Sequence, residues 1–188
     1  MNTCDTSIEN RKSAKEIYRE LNNFFRPEKY QDTAANGLLL DYAEYLEAVY
    51  TSTFSGTEVI DVLRRKGAKN ALLFTHHPGP QHEEGKEGKG FTEEDIEFMK
   101  NNRISHFSLH LPLDQINPYS PGICLARALD AVPYKSFFEE GGAIMGLICT
   151  INCTVIDEVL KKMEILTGHP CRLYDYGNKE LSDGKIAI

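Results

Sequence analysis

The chain lacks an excess of positive charge and any long apolar run. Its 188 residues carry 21 Lys and Arg against 28 Asp and Glu, which gives a formal net charge of −7. A general nucleic-acid binder needs a basic face that displaces counterions, so binding of that kind is not expected. A membrane-spanning helix needs about 20 consecutive apolar residues, and no stretch reaches that length. We therefore expect no membrane partner.

Cysteine usage gives no sign of a disulfide framework. The five cysteines are an odd number, and the N-terminal stretch MNTCDTSIENRKSAKE is polar and does not resemble a secretory signal. Secreted proteins stabilised by disulfides have paired cysteines and such a signal. We therefore expect a reducing compartment and a cytoplasmic location.

Two common signatures of catalysis are also missing. The P-loop spacing G-x-x-x-x-G-K-[ST] does not occur, because Lys89 in the glycine-rich segment EEGKEGKG is followed by Gly90. The nucleophile elbow G-x-S-x-G is absent too, which disfavours a Ser-His-Asp triad. The glycine-rich segment has no hydrophobic residue to anchor it, and this composition is typical of a loop.

Apolar runs of strand length alternate with amphipathic segments of helix length. YLEAVYTST, GTEVIDVLRRKGA and NALLFT read as strand, helix and strand, which predicts a βαβ unit with parallel strands. Further helices are predicted in FTEEDIEFMKNN, GICLARALDA and TVIDEVLKKMEILTG, and further strands in RISHFSLHLPLD, AIMGLICTI, CRLYDY and the final KIAI. The alternation predicts an α/β fold, with a parallel or mixed sheet flanked by helices.

Polar side chains follow two of the predicted strands. His76 and His77 come directly after NALLFT, and His110 and Asp114 follow HFSL. Ligands of open α/β sheets bind at the carboxyl ends of the strands. If both strands belong to one parallel sheet, these four side chains converge at its edge.

Imidazole and carboxylate are normal ligands of zinc, iron and manganese, which favours a metal site. Adjacent histidines on one strand end are expected to diverge, so each would face a different ion of a pair. A general acid–base pair without metal is the second interpretation. We interpret the other histidines as structural: His82 as a solvated loop residue, His106 as a core residue, and His169 as a residue at a helix end.

The order of these motifs resembles the Nif-three-like family, whose members are often labelled GTP cyclohydrolase 1 type 2 homologues. Its pattern runs D-N-x-G-L, H-H-P after a buried strand, H-x-x-x-D after a later strand, and G-x-N-x-x-L-A. The two histidine motifs match fully, at His76-His77-Pro78 and at His110 with Asp114. Asn36-Gly37-Leu38 matches the first motif loosely, and Cys124 replaces the Asn of the last.

The resemblance implies a Nif-three-like fold that binds two divalent ions, zinc, iron or manganese, in a cleft between two α/β halves. His76, His77 and Asp114 would be metal ligands, and His110 the catalytic residue lining the same cleft, as a ligand or beside one. The family completes this site with a C-terminal H-x-x-x-E motif that the sequence does not show. The expected domains are therefore a metal-site half, 1–130, and an incomplete second half, 131–188, with weak or partial metal binding.

Two functions follow from the resemblance. The first is a metal-dependent hydrolase acting on a nucleotide or a related small molecule, since the cyclohydrolase label points to purine nucleotides. The alternative is a non-catalytic metal-binding scaffold or protein-interaction factor, because an acidic surface suits protein partners. The resemblance also implies a homo-oligomer, since family members form ring-like assemblies.

Overall fold

A computed structural model describes residues 13–79 and 90–188 of the chain. His82 and nearly all of the predicted glycine-rich loop lie outside these ranges. The chain divides into two compact units, the first ending at Pro112 and the second running Leu113–Ile188. The sequence placed the division after residue 130. The structure divides earlier because the helix Pro121–Ala128 packs on two strands of the second unit.

The first unit contains a four-stranded mixed sheet with helices. Its elements are α1 (Ala14–Phe25), β1 (Gly37–Leu40), β2 (Ala48–Ser52), α2 (Thr57–Arg65), β3 (Ala71–Thr75), α3 (Glu93–Asn101) and β4 (Ile104–Ser108). The strand order is β1-β4-β3-β2, with β2, β3 and β4 parallel and β1 antiparallel to β4. The predicted βαβ unit, β2-α2-β3, and the predicted α/β class are confirmed.

Capping side chains define where two helices of this unit, α1 and α3, begin. Thr92 and Asp95 form a capping box of α3, in which Thr92 Oγ1 accepts from Asp95 N and Asp95 Oδ2 accepts from Thr92 N. The N-cap of α2 is Gly56, and the Thr57 side chain does not cap the helix. Thr57 Oγ1 instead donates to Asp95 Oδ2 at 2.9 Å, which ties the start of α2 to α3.

The core of the first unit lies on the central strands. β3 and β4 are buried along almost their whole length, as is typical of central strands that are covered on both faces. β3 is mostly apolar, whereas β4 also buries Ser105, His106 and Ser108. Leu72, Leu73, Ile104 and Phe107 are each at most 1% exposed. The ends of these two strands are therefore held in place by the best-packed part of the unit.

His106 is a polar side chain within this core, as the sequence predicted. It is 2% exposed, and its Nε2 lies 2.9 Å from Oγ1 of Thr75. Burial lowers its pKa from the ordinary 6.5 to about 4. Between these two pH values the unfolded chain binds a proton that the folded chain does not, so folding stability decreases as pH falls through this window.

We predict that this histidine dominates the loss of stability between about pH 6.5 and pH 4.5, at about 2–3 kcal/mol. His106→Gln keeps a hydrogen-bonding group beside Thr75 but does not titrate, so its unfolding free energy should vary less with pH. Urea unfolding at a series of pH values measures the difference. The matched control is His169→Gln, since His169 is exposed. An unchanged pH dependence in His106→Gln would contradict the prediction.

The second unit is built on a three-stranded antiparallel sheet. Its elements are α4 (Leu111–Asp114), which begins in the first unit, α5 (Pro121–Ala128), β5 (Val132–Glu140), β6 (Ala143–Thr150), α6 (Ile156–Thr167) and β7 (Lys185–Ala187). The strand order is β5-β6-β7. Residues of α5, β6 and α6 form its core, among them Ala126, Leu147, Cys149 and Val159.

One predicted strand of this unit is wrong. Residues 171–176, CRLYDY, form no strand, and most of the segment is exposed. Its aromatic side chains contact local neighbours instead: Tyr174 stacks on Tyr176, and the Arg172 guanidinium lies 4.8 Å from the centre of the Tyr174 ring. The edge position of the sheet is taken by β5, which the sequence patterns did not predict.

Among the residues that the structure describes, none of the helices is both long enough and apolar enough to cross a bilayer.

Candidate metal centre

Three histidines come together at the carboxyl ends of two neighbouring parallel strands. Thr75 is the last residue of β3 and pairs with Ser108, the last of β4, so His76 and His77 emerge beside the segment that leads to His110. The ring centres of the three histidines lie 4.4–5.1 Å apart. One nitrogen from each ring lies within 4.8 Å of the other two.

The adjacent imidazoles of His76 and His77 converge, whereas the sequence led us to expect them to diverge. Alternation of side chains holds only within a strand, and both residues lie beyond the end of β3. Their backbone N–H groups donate to Ser52 O at 3.2 Å and Thr53 O at 2.7 Å. The chain bends at these residues, and the two ring planes lie at 66° to each other.

The turn that follows the histidines is held by one buried serine. Ser55 Oγ donates to the carbonyl oxygen of Pro78 at 2.6 Å, and Ser55 N donates to Gly79 O at 3.1 Å. Ser55 is 4% exposed. The segment after β2 therefore fixes the segment after β3 in a single arrangement.

Asp32 is a site residue that the sequence motifs did not reveal. Its side chain is 3% exposed and accepts hydrogen bonds from the backbone N–H groups of Ala34 and Leu111 and from Nδ2 of Asn36, all at 2.9 Å. Its Oδ1 lies 3.0 Å from Nδ1 of His110. Burial alone would raise the pKa of Asp32, but the hydrogen bonds it accepts lower the pKa to about 2.

The ionised Asp32 determines which nitrogen of His110 is available. A carboxylate only accepts, so His110 Nδ1 must carry the proton and donate, which leaves the lone pair of the neutral ring on Nε2. Asn36 Oδ1 also accepts from His110 N at 2.7 Å and holds the backbone of the same residue. A carboxylate behind a histidine is the usual support of a metal-binding imidazole.

His76 has the same pattern with a different acceptor. Its Nδ1 lies 2.9 Å from the carbonyl oxygen of Leu109. Because a carbonyl oxygen only accepts, Nδ1 again carries the proton and the lone pair of the neutral ring lies on Nε2. Two of the three imidazoles thus share one tautomer.

The His77 ring contacts an aromatic side chain, and its surroundings lower its pKa. Its ring stacks on Phe54, with ring centres 4.6 Å apart and planes at 9°. Burial, and then the neighbouring His76 and His110, lower the pKa of His77. The neutral ring, which is the form that binds a metal, is therefore favoured.

The donor set fits a divalent ion. Three imidazoles with one open position are the ligands of a common class of catalytic zinc sites. Two ligand atoms at about 2.1 Å from one ion in a tetrahedral site lie about 3.4 Å apart, so nitrogens within 4.8 Å of one another would move closer by up to about 1.4 Å when an ion binds. The described histidines outside the group have other environments: His106 is buried and His169 is exposed.

Asp114, the carboxylate ligand that the sequence suggested, ends α4 in the second unit. It lines a cavity of about 280 Å³ in that unit, together with apolar side chains that include Ile116, Leu125 and Leu147. Its assignment as a metal ligand stays a prediction.

The fold and the histidine group define an α/β protein with a candidate metal site at the carboxyl ends of its parallel strands. The chain belongs to the Duf34/NIF3 (NGG1p interacting factor 3) family, whose model matches residues 12–188. The family suggested by the sequence motifs is thereby confirmed.

Known proteins similar to the chain agree with this assignment. The GTP cyclohydrolase 1 type 2 homolog of Archaeoglobus fulgidus is 26% identical over 149 residues, which are 79% of this chain and 60% of that protein. The chain thus spans about three fifths of the length of this relative.

Solved structures share the fold at lower identity. The protein ybgI, described as of unknown function, is 20% identical with a TM-score of 0.72, over 94% of this chain and 68% of that chain. TTHA1606 from Thermus thermophilus is 19% identical with a TM-score of 0.70, over 94% and 69%. Reduced HcgD from Methanocaldococcus jannaschii is 19% identical with a TM-score of 0.61, over 82% and 60%.

We predict that Asp32→Ala lowers the free energy of unfolding by about 2–4 kcal/mol, because it leaves two backbone N–H groups and His110 without their buried acceptor. Urea unfolding measures the loss. The matched control is Asp61→Ala on the exposed face of α2, which should change stability by less than about 0.5 kcal/mol.

A second readout separates orientation of the ring from stability. In Asp32→Asn, the share of His110 rings that carry the proton on Nδ1 should decrease, because a carboxylate no longer faces that nitrogen. Nitrogen-15 NMR of the imidazole reports this tautomer directly. A His110 tautomer that stays unchanged in both variants would show that Asp32 does not orient the ring.

Proposed function

We propose that the protein is a divalent-metal-dependent hydrolase acting on a nucleotide or a related small molecule. The observation that carries the proposal is the convergence of His76, His77 and His110 at the carboxyl ends of β3 and β4, with one nitrogen of each ring within 4.8 Å of the others. Neutral imidazoles in this number and spacing are a donor set for zinc, iron or manganese.

Two ions per complete site are part of the proposal. His76, His77 and Asp114 would be metal ligands, and His110 would act in catalysis, as a ligand or beside the ions. Family membership and the positions of the H-H-P and H-x-x-x-D motifs support this assignment. A divalent ion would supply a Lewis acid that activates water and polarises a C–N or P–O bond.

The residues of the chain have distinct tasks in this proposal. Asp32 holds the Nδ1 proton of His110 and directs the lone pair of the ring away from itself. The carbonyl of Leu109 does the same for His76. Phe54 stacks on one face of the His77 ring and limits its rotation. Ligands held in this way keep their orientation when an ion binds.

A purine nucleotide is the substrate class that we propose. Its support is the name of the archaeal relative, a GTP cyclohydrolase 1 type 2 homolog that is 26% identical to this chain. Relatives at this distance share a fold more often than a reaction, so the substrate has to be tested directly.

A non-catalytic scaffold is the second candidate function. The family takes its name from a factor that interacts with NGG1p, which supports binding of a protein partner. The net charge of −7 suits protein partners better than nucleic acid. In this case the metal would stabilise the fold or regulate binding. In either case we also propose that the protein forms a homo-oligomer and is located in the cytoplasm.

Metal content tests the site. We predict that His76→Ala and His110→Ala each lower the amount of bound zinc, iron or manganese at least tenfold, because each removes one of three convergent ligands. Inductively coupled plasma mass spectrometry of protein equilibrated by dialysis against a fixed concentration of the ion, with the dialysate as the blank, measures this content. His169→Ala, which removes an exposed histidine, is the matched control. Asp114→Ala tests the carboxylate in the same way, and unchanged metal content in all the site variants would show that the assignment is wrong.

Turnover separates the enzyme from the scaffold. Metal-loaded protein should release product from at least one member of a panel of purine nucleotides and phosphoesters, and His110→Ala should abolish that activity. Metal binding without turnover across the panel would favour the scaffold. Chromatography of the reaction mixtures gives the measurement.

A further inference from the structure

All nine residues of the strand β5 are exposed. Several of them are large and apolar: Val132 is 63% exposed, Tyr134 54%, Phe137 55% and Phe138 50%. Both faces of the strand are exposed, because side chains of a strand alternate between faces. A strand with two exposed faces and this many apolar side chains is unusual in a protein that acts alone.

Within the described residues β5 pairs along one edge only. It forms an antiparallel hairpin with β6 around Gly141 and Gly142, and β7 lies on the far side of β6. The opposite edge of β5 is the outer edge of the sheet. Such an edge offers a row of backbone donors and acceptors to another strand, and proteins usually shorten or cover it.

The sequence of β5 is complementary to itself when two copies run antiparallel. Suppose that Phe137 lies opposite Phe137 of a second copy. Each residue before Phe137 in one copy then faces the residue that lies the same number of positions after Phe137 in the other copy. Lys135 then lies opposite Glu139 of the second copy, and Glu139 opposite its Lys135. Opposite charges that face each other across strands are attractive, and a two-fold axis forms this pair twice.

The part of β5 that this arrangement uses is regular. The irregularity in its pairing with β6 lies between Pro133 and Lys135, and residues 135–140 continue in a constant register. Lys135, Phe137 and Glu139 therefore share one face of the strand. Charges flank an aromatic side chain at the centre of that face.

The ring of Phe137 packs against a glycine on β6. Gly146 lies opposite Phe137, and a Cβ built there would be 2.9 Å from two atoms of that ring. Gly146 also has φ +67, a conformation that glycine adopts without strain. The ring therefore packs against the backbone of β6 and is already ordered at the proposed centre.

We propose that β5 is an interface between two copies of this chain, which pair antiparallel about Phe137 and join their three-stranded sheets into one of six strands. The proposal deepens the proposed homo-oligomer and does not depend on the metal chemistry. The second copy is favoured over a different protein because the charges of β5 match those of β5 itself.

Charge reversal tests the arrangement. Lys135→Glu should raise the dissociation constant of the dimer about tenfold or more, because two attractive pairs become two repulsive ones. Glu139→Lys should do the same. The double variant Lys135→Glu/Glu139→Lys should associate like the natural protein, since each pair is restored with its signs exchanged. Sedimentation velocity at a series of protein concentrations gives the dissociation constants.

Lys161→Glu is the matched control. It makes the same change of net charge on the exposed side of α6 and should leave the dissociation constant unchanged. Circular dichroism of each variant confirms that it is folded. Gly146→Ala adds an independent check, because it displaces the Phe137 ring and should also weaken association.

Three outcomes would overturn the interface. A natural protein that stays monomeric at high micromolar concentration would exclude both this interface and the proposed homo-oligomer. A dissociation constant that is unchanged in both single charge-reversal variants would exclude β5 as the interface. The proposed homo-oligomer would not be affected by that result. A double variant as weak as the single variants would exclude the antiparallel register about Phe137. Metal content of the same samples reports separately on the proposed metal function.

Discussion

The parallel pairing of β3 with β4 is the constraint on which the candidate metal centre depends. It brings Thr75 and Ser108 to the same edge of the sheet, so that histidines more than 30 residues apart leave their strands side by side. The pairing is stable because both strands are buried along almost their whole length. The polar group of imidazoles thus lies at the end of two well-buried strands of the first unit.

The hydrogen bonds around Asp32 make a buried carboxylate compatible with this site. Removing a carboxylate from water is costly, and burial by itself favours its neutral form. Asp32 is nevertheless held ionised by backbone N–H groups, by an amide and by an imidazole. The same bonds orient His110 and join the chain before β1 to the chain after β4. The same hydrogen bonds therefore orient the site and stabilise the first unit locally.

Much of the fold was predictable from local patterns. Alternating apolar runs predicted β2, α2, β3, α3, β4, α5, β6 and α6, and the two histidine motifs predicted His76, His77 and His110, which converge. CRLYDY was predicted as a strand because its composition favours one, but it has no neighbouring strand to pair with. The strand β5 was missed because VPYKSFFEE has a proline near its start and no clean alternation. Its pairing with β6, which the hairpin imposes, makes it a strand.

The sequence by itself determined the family, the α/β class and the identity of the three histidines. Those properties follow from the types of residues that lie close to one another along the sequence. Only the tertiary structure decided that His76 and His77 converge and that Asp32 lies behind His110, because that contact joins residues 78 positions apart. Tertiary structure likewise decided which strand of the second unit lies at an open edge. Long-range contacts of this kind depend on how buried strands are ordered in a sheet, and no local pattern of residues encodes that order.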